Sequence, residues 1–244
     1  MTNPDQKTLM SLQEQWRTKF SEMRREFGDV VTGPFLSVAP PGYDPERVPS
    51  VLYVGKALGP NEQMREVSVQ GLRRRTRRFL GQVIQGRHRD SGFWNFALDL
   101  SRAIAEHTGH PEIAPLQNLV WTNICKIGHA ENNPKGGIYE KQEKLAIATL
   151  RAEIALYRPR LVFWATWNYG VEVVRKVVND SSTDDASWMK DLAEEGIYLR
   201  ASMGALPPMV WTYYPERKSK EDWKRWIECA IKLLDGGDPV VSRT

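Results

Sequence analysis

Short, nearly uncharged apolar runs recur along this chain with helix-length amphipathic stretches between them, and that alternation restricts the fold more than any other feature. Val51-Leu52-Tyr53-Val54 ends at Gly55, residues 119–125 read LVWTNIC, and Leu161-Val162-Phe163-Trp164-Ala165 follows Arg158-Pro159. Further strands are expected near 197–201 and 209–213. Helices are expected over 5–27, where Leu9, Leu12, Trp16, Phe20, Met23 and Phe27 are spaced by three and four, and over 71–85, 93–107, 138–157, 168–179 and 219–234. Strands with no polar face, alternating with helices, bury both faces of a parallel sheet. The expected fold is therefore α/β, three layers α/β/α, around a central, mostly parallel four-stranded sheet. In such folds ligands sit at the carboxyl ends of the strands.

The 244 residues are 41% hydrophobic and 26% charged, an ordinary globular balance. Residues 51–235 hold the alternating pattern. Residues 33–49 carry Pro34, Pro40, Pro41, Pro45 and Pro49, which enforces an extended, irregular path. Residues 1–50 are thus read as an N-terminal helix and a proline-rich wrap packed on the core, and 236–244 as a tail. No run approaches the ~18–20 apolar residues of a membrane span, and the N-terminus lacks a basic-then-apolar leader, so a cytoplasmic protein is expected. Cys125 and Cys229 are too few for a disulfide framework or a four-cysteine site. His88, His107, His110 and His129 have no ligand spacing with them. No metal and no cofactor are expected, and a monomer is the default.

The net charge of +4 is unevenly distributed. Between residues 65 and 89, Arg65, Arg73, Arg74, Arg75, Arg77, Arg78, Arg87 and Arg89 face the single acid Glu66. Such an excess is the footprint of a polyanion partner, and arginine without lysine favours phosphate forks. A solvated helix face is the competing reading.

Three strand ends carry candidate chemistry. Gly55-Lys56-Ala57-Leu58-Gly59-Pro60-Asn61-Glu62 is a glycine-bearing loop that lets backbone approach a ligand. Thr122-Asn123-Ile124-Cys125-Lys126 puts an asparagine where its donor and acceptor can meet a nucleobase edge. An asparagine that ties down the next loop is the alternative. The last strand runs into Thr212-Tyr213-Tyr214-Pro215-Glu216-Arg217.

Taken in order, these segments resemble the uracil-DNA glycosylase superfamily, closest in motif order to the branch whose thermostable members carry an iron–sulfur cluster. VLYVGKALGPNE follows the frame of that branch's strand and Gly-Glu-x-Pro-Gly-x-x-Glu, and Ser91-Gly92-Phe93-Trp94 resembles its Gly-x-Pro-Phe segment. Thr122 to Lys126 matches its Thr-Asn-x-x-Lys, RAEIALYRPRLVFWATW its Arg-Pro-then-strand segment, and Tyr213-Tyr214-Pro215 its Tyr-His-Pro. The likeness spans roughly residues 50–235. It departs at Lys56, where the branch has its catalytic acid, at Leu58 in place of a proline, and at Tyr214 in place of a histidine. The cluster cysteines are missing, so no iron–sulfur cluster is implied.

The resemblance implies a monofunctional DNA glycosylase that flips a nucleotide, holds its base and hydrolyses the N-glycosidic bond to leave an abasic site. Asn123 would read the base edge and Phe93 would stack on its face, with Trp94 as alternate; Gly55 and Ala57 would frame the pocket. Tyr214 would donate to the departing base. Glu62 or Asp90 would position water, unless they are surface or capping carboxylates. Lys56 would contact a phosphate, or attack the sugar and form a Schiff base with lyase activity. Arg73, Arg74, Arg75, Arg77, Arg78, Arg87 and Lys126 would hold the DNA backbone, with Arg217, Lys218 and the 132–137 loop flanking the duplex. The altered motifs suggest a base other than uracil, such as a glucosylated hydroxymethylcytosine of phage DNA met in defence. Plain uracil excision in repair, a catalytically silent DNA-binding module, and a nucleotide-binding enzyme are the alternatives.

Overall fold

The computed structural model describes residues 4–47, 50–57, 68–88, 90–178, 190–192, 197–200 and 206–236. Its elements run α1 (Pro4–Phe27), β1 (Val31–Thr32), β2 (Val51–Gly55), α2 (Val69–Ile84), α3 (Gly92–His107), β3 (Leu119–Asn123) and β4 (Gly128–His129). They continue α4 (Gly136–Glu140), α5 (Glu143–Tyr157), β5 (Leu161–Ala165), α6 (Val171–Val178), β6 (Lys190–Leu192), β7 (Ile197–Arg200), β8 (Met209–Thr212) and α7 (Lys220–Leu234). No helix among the described residues is long and apolar enough to cross a membrane.

The main sheet has the order β3-β2-β5-β8-β7-β6. The first four strands are mutually parallel, and β7 and β6 add antiparallel to that edge. The sheet is thus mostly parallel as expected, but larger than four strands. Lys190-Asp191-Leu192 has no apolar pattern to announce it; β6 forms by pairing its backbone with β7.

Both faces of the parallel strands are covered, which is why their sequences lack alternation. Tyr53, Trp121, Phe163 and Val210 pack with Phe96, Leu100 and Ile104 of α3 and Trp223 and Trp226 of α7. Leu52, Val54, Val120, Val162 and Trp164 pack with Leu150 and Ile154 of α5 and Val173 and Val177 of α6. Helix α1 closes the β3 side through Trp16, Phe20 and Met23, and the Trp16 indole donates to Thr149 Oγ1 on α5 at 2.8 Å. The chain after α1 is buried from Val31 to Val38 and crosses the backbone of Lys126, whose carbonyl accepts from Phe35 N at 2.7 Å. A Cβ on Gly33, whose φ is +105°, would lie 2.9 Å from that same carbonyl, so the crossing requires glycine.

The single helix expected over 138–157 is two, α4 and α5. Buried Gln142 stands between them: its Nε2 donates to the carbonyls of Ile127 (3.0 Å) and Ile138 (2.9 Å), and its Oε1 accepts from Ile127 N (3.1 Å). The side chain serves the loop after β3 at the cost of helix continuity.

Candidate functional site

The four parallel strands end on one side of the sheet, at Gly55, Asn123, Ala165 and Thr212. Register makes Gly55 and Asn123 direct neighbours. Asn123 is 1% exposed, and its Oδ1 accepts from Trp121 Nε1 at 3.2 Å. An indole can only donate, so this contact fixes which way the amide faces. The Nδ2 group is buried and has no hydrogen-bond partner among the described residues. Leaving such a donor unpaired costs about 1–3 kcal/mol, a penalty a ligand acceptor removes.

Gly55 makes the close approach around that amide possible. A Cβ there would lie 2.5 Å from Asn123 Oδ1 and 3.0 Å from Phe93 Cζ. Phe93, in the first turn of α3, rests on Tyr53 with ring centroids 4.6 Å apart, and the Tyr53 hydroxyl donates to the Phe93 carbonyl at 3.2 Å. On Phe93 lies the ring of Tyr214, 5.4 Å away and inclined by 21°. The Lys56 ammonium stands 4.6 Å from the centroid of Tyr214. Burial, and then the Glu216 charge, push the Tyr214 hydroxyl above its ordinary pKa, so it is a neutral donor; burial pulls Lys56 down. Gly55, Lys56, Phe93, Asn123 and Tyr214 therefore form one cluster, assembled from the ends of β2, β3 and β8 and the start of α3.

Glu216 is a carboxylate beside this cluster to which the sequence reading gave no role. Its Oε1 accepts from Ser91 Oγ at 3.1 Å, and a Cβ on Gly92 would lie 3.1 Å from Glu216 Cα, so the start of α3 and the loop after β8 are clipped together. Its signal was its place directly after Tyr-Tyr-Pro. Trp167 was missed too. It follows β5 with φ at +50°, uncommon for a bulky residue, donates from its backbone N–H to Thr212 O at 2.9 Å, and stacks on Tyr213 with centroids 3.4 Å apart.

Other expected residues fall elsewhere. Trp94 is interior: it meets Phe93 and Trp121 edge-on at 5.1 and 4.7 Å and buttresses Phe93 in place of stacking on a ligand. Half-buried Ala57 packs with the cluster on the α5–α6 face, away from Phe93. Asp90 is exposed. Glu62, Arg65 and Arg89 lie outside the described residues. His129 is held in its loop, its Nδ1 accepting from the N–H groups of Glu131 and Asn132 at 3.2 and 3.3 Å.

Lys126 cannot contact DNA. It is 0% exposed, and its ammonium donates to Glu153 Oε1 (2.9 Å) and Oε2 (3.0 Å) and to Thr122 Oγ1. Burial lowers its pKa, and the Glu153 carboxylate opposes that shift. The charge visible in the sequence is consumed by an ion pair that straps the loop after β3 to α5.

The arginines of α2 divide. Arg74, Arg75 and Arg78, with Gly71, Phe79 and Gln82, line a depression of about 560 Å³. Its floor connects to the cluster, because Phe79 lies 5.4 Å from Trp121, the residue that holds Asn123. Arg73 and Arg77 lie on the side of α2 toward α1 and line a separate cleft. Arg87 is exposed in the turn after α2. Arg217 is exposed with φ at +63°, and the Lys218 ammonium lies 4.0 Å over the Tyr213 ring. Among the described residues no group of three or more His, Cys, Asp or Glu could hold a metal. No family model matches the chain, and no curated protein matches it significantly.

Proposed function

We propose that the protein is a DNA glycosylase with a uracil-DNA glycosylase-like architecture, which takes a flipped, modified base into the cluster of Gly55, Phe93, Asn123 and Tyr214. The observation that carries this reading is the buried Asn123 amide, oriented by Trp121 and holding an unpaired Nδ2 donor at the end of a parallel strand. A base carbonyl or ring nitrogen supplies the acceptor it lacks. Phe93 stands beside it with the Tyr214 ring over its face, so a base stacks there only when Tyr214 swings aside, and the arginine-lined depression of α2 offers a track for the phosphate backbone.

In hydrolysis the bond from C1′ to the base nitrogen breaks, its electron pair leaves with the base, and water adds to C1′ and releases a proton. Negative charge develops on the base. The neutral Tyr214 hydroxyl donates to it and the Lys56 ammonium stabilises it. Glu216, beside Tyr214, is the described carboxylate best placed to orient water; Glu62 is the further candidate from the sequence. Lys56 and Tyr214, where the resembled branch has an acid and a histidine, favour a base other than uracil, and a glucosylated hydroxymethylcytosine is a concrete one. A second reading, the silent DNA-binding module, is favoured by Tyr214 covering the face of Phe93.

The test uses duplexes bearing uracil, other deaminated bases or modified cytosines, and glucosylated phage DNA, scored for abasic sites by alkaline cleavage and aldehyde labelling. Product from one modified base is expected. Asn123→Ala abolishes it while duplex affinity stays within about threefold, and Asn123→Asp, which keeps an acceptor for Trp121 but loses the donor, abolishes it as well. Binding without product on every arm overturns the enzyme reading in favour of the silent module.

A further inference from the structure

The cleft between α1, α2 and the 39–45 segment has no part in the reading above, and its chemistry is that of a small-ligand site. It measures about 250 Å³ and is lined by Arg73 and Arg77 of α2, Gln6, Leu9, Met10 and Gln13 of α1, and Ala39, Tyr43, Pro45, Leu156 and Tyr157. Among the described residues no carboxylate lines it and neither arginine makes an ion pair. At 100° per residue, Arg73 and Arg77 stand one turn apart on one face of α2, roughly 130° round the helix from the face of Arg74, Arg75 and Arg78. They belong to a different surface from the proposed DNA track.

Gln13 gives the cleft its second requirement. It interrupts the apolar face of α1 that Leu9, Leu12, Trp16 and Phe20 bury, is 2% exposed, and its Oε1 has no hydrogen-bond partner among the described residues. The opposite wall is already satisfied: the Tyr43 hydroxyl donates to the Tyr157 carbonyl at 2.6 Å, and the Tyr157 hydroxyl meets Ser37 Oγ at 3.3 Å. The unmet demands of the cleft are thus an anion for two guanidinium forks and an O–H or N–H donor for one buried acceptor. Its volume lies below the ~300–1,000 Å³ of sites for drug-sized ligands.

We infer that this cleft binds a small phosphomonoester that also bears hydroxyl groups, a sugar phosphate or a mononucleotide, with phosphate on Arg73 and Arg77 and a hydroxyl donating to Gln13 Oε1. The full-length protein is titrated calorimetrically with ribose 5-phosphate, deoxyadenosine 5′-monophosphate and inorganic phosphate; the tighter of the first two tells the sugar phosphate from the nucleotide source. Saturable binding is expected, weakened about tenfold or more by Arg77→Ala. Gln13→Leu should weaken the two sugar-bearing ligands by a similar factor and leave inorganic phosphate unchanged. Met10→Trp, at a residue 46% exposed on the rim, fills the mouth without touching a buried group and should abolish binding even if Gln13→Leu does not fold. The inference is overturned if none of the three probes binds at ~10 mM. It is equally overturned if Arg77→Ala and Met10→Trp bind like the wild type, or if Arg77→Ala weakens duplex DNA as much as Arg78→Ala does.

Discussion

Replacing Lys126 by Met should be among the most damaging single changes in the protein, because it strands a charge. Lys126 and Glu153 are 0% and 1% exposed. Glu153 accepts from the Lys126 ammonium through both oxygens, from Ser37 Oγ at 2.6 Å and from Thr122 Oγ1 at 2.8 Å. Without the ammonium, two hydroxyls remain to solvate a buried carboxylate, and breaking such a pair costs about 3–5 kcal/mol. The double variant Lys126→Met/Glu153→Leu removes both charges and leaves the Ser37 and Thr122 hydroxyls short of an acceptor, a loss of about 1–3 kcal/mol. It should therefore be more stable than the single variant at neutral pH. Urea unfolding of both variants at neutral pH, followed by tryptophan fluorescence, measures this. A loss below ~1 kcal/mol, or a double variant that is the sum of its singles, would refute the reasoning.

Duplex binding by fluorescence anisotropy across a salt series should lose roughly 0.7–0.9 from the slope of log K against log salt for each of Arg74, Arg75 and Arg78 changed to Ala. Arg73→Ala and Arg77→Ala should leave that slope alone, and equal effects across all five would return them to one surface. Ser219→Ala should cost about 1 kcal/mol, since it breaks a capping box in which Ser219 Oγ accepts from Asp222 N at 3.1 Å and Asp222 Oδ2 from Ser219 N at 3.1 Å. Burial raises the Asp222 pKa, but hydrogen bonds from Ser219 and Arg225 outweigh it and hold the group below its ordinary value. Its stabilisation is then complete above about pH 3.9 and fades as pH falls through the depressed folded pKa, so the Ser219→Ala deficit should shrink there; a deficit constant from pH 7 to pH 2.5 would contradict this. Cys125 should resist thiol reagents at pH 8 in the native protein, because burial pushes its thiol to about 12 and it contacts the Tyr169 hydroxyl at 3.1 Å. Rapid labelling of Cys125, identified by peptide mapping, would count against that environment.

What the sequence discloses and what it hides divide along a physical line. Strands β2, β3, β5 and β8 were legible because a segment buried on both faces must be apolar throughout, and Asn123 because a polar residue closing such a run is itself a local signal. Partners distant in sequence leave no such trace. Lys126 read as a DNA contact because Glu153 meets it from helix α5, 27 residues on, and the five arginines of α2 read as one patch because summed charge ignores the helical angle between them. The contact of Tyr214 with Phe93 joins β8 to α3 across the sheet and has no sequence signature at all. The same line bears on where function lies. Gln142, Glu153 and Gln13 are three buried polar side chains among apolar neighbours, indistinguishable in kind from sequence. Gln142 gives both its amide atoms to the loop after β3, and Glu153 has an ammonium and two hydroxyls. Their burial is repaid inside the fold, and they explain architecture. Gln13 Oε1 and Asn123 Nδ2 have no partners among the described residues. Thr32 Oγ1, Ser50 Oγ, Trp164 Nε1 and Trp226 Nε1 are open in the same sense, so an unpaired atom by itself marks no site; Gln13 and Asn123 are set apart by their place, one beside two arginines and the other at a strand end, which is where the two proposals put their ligands.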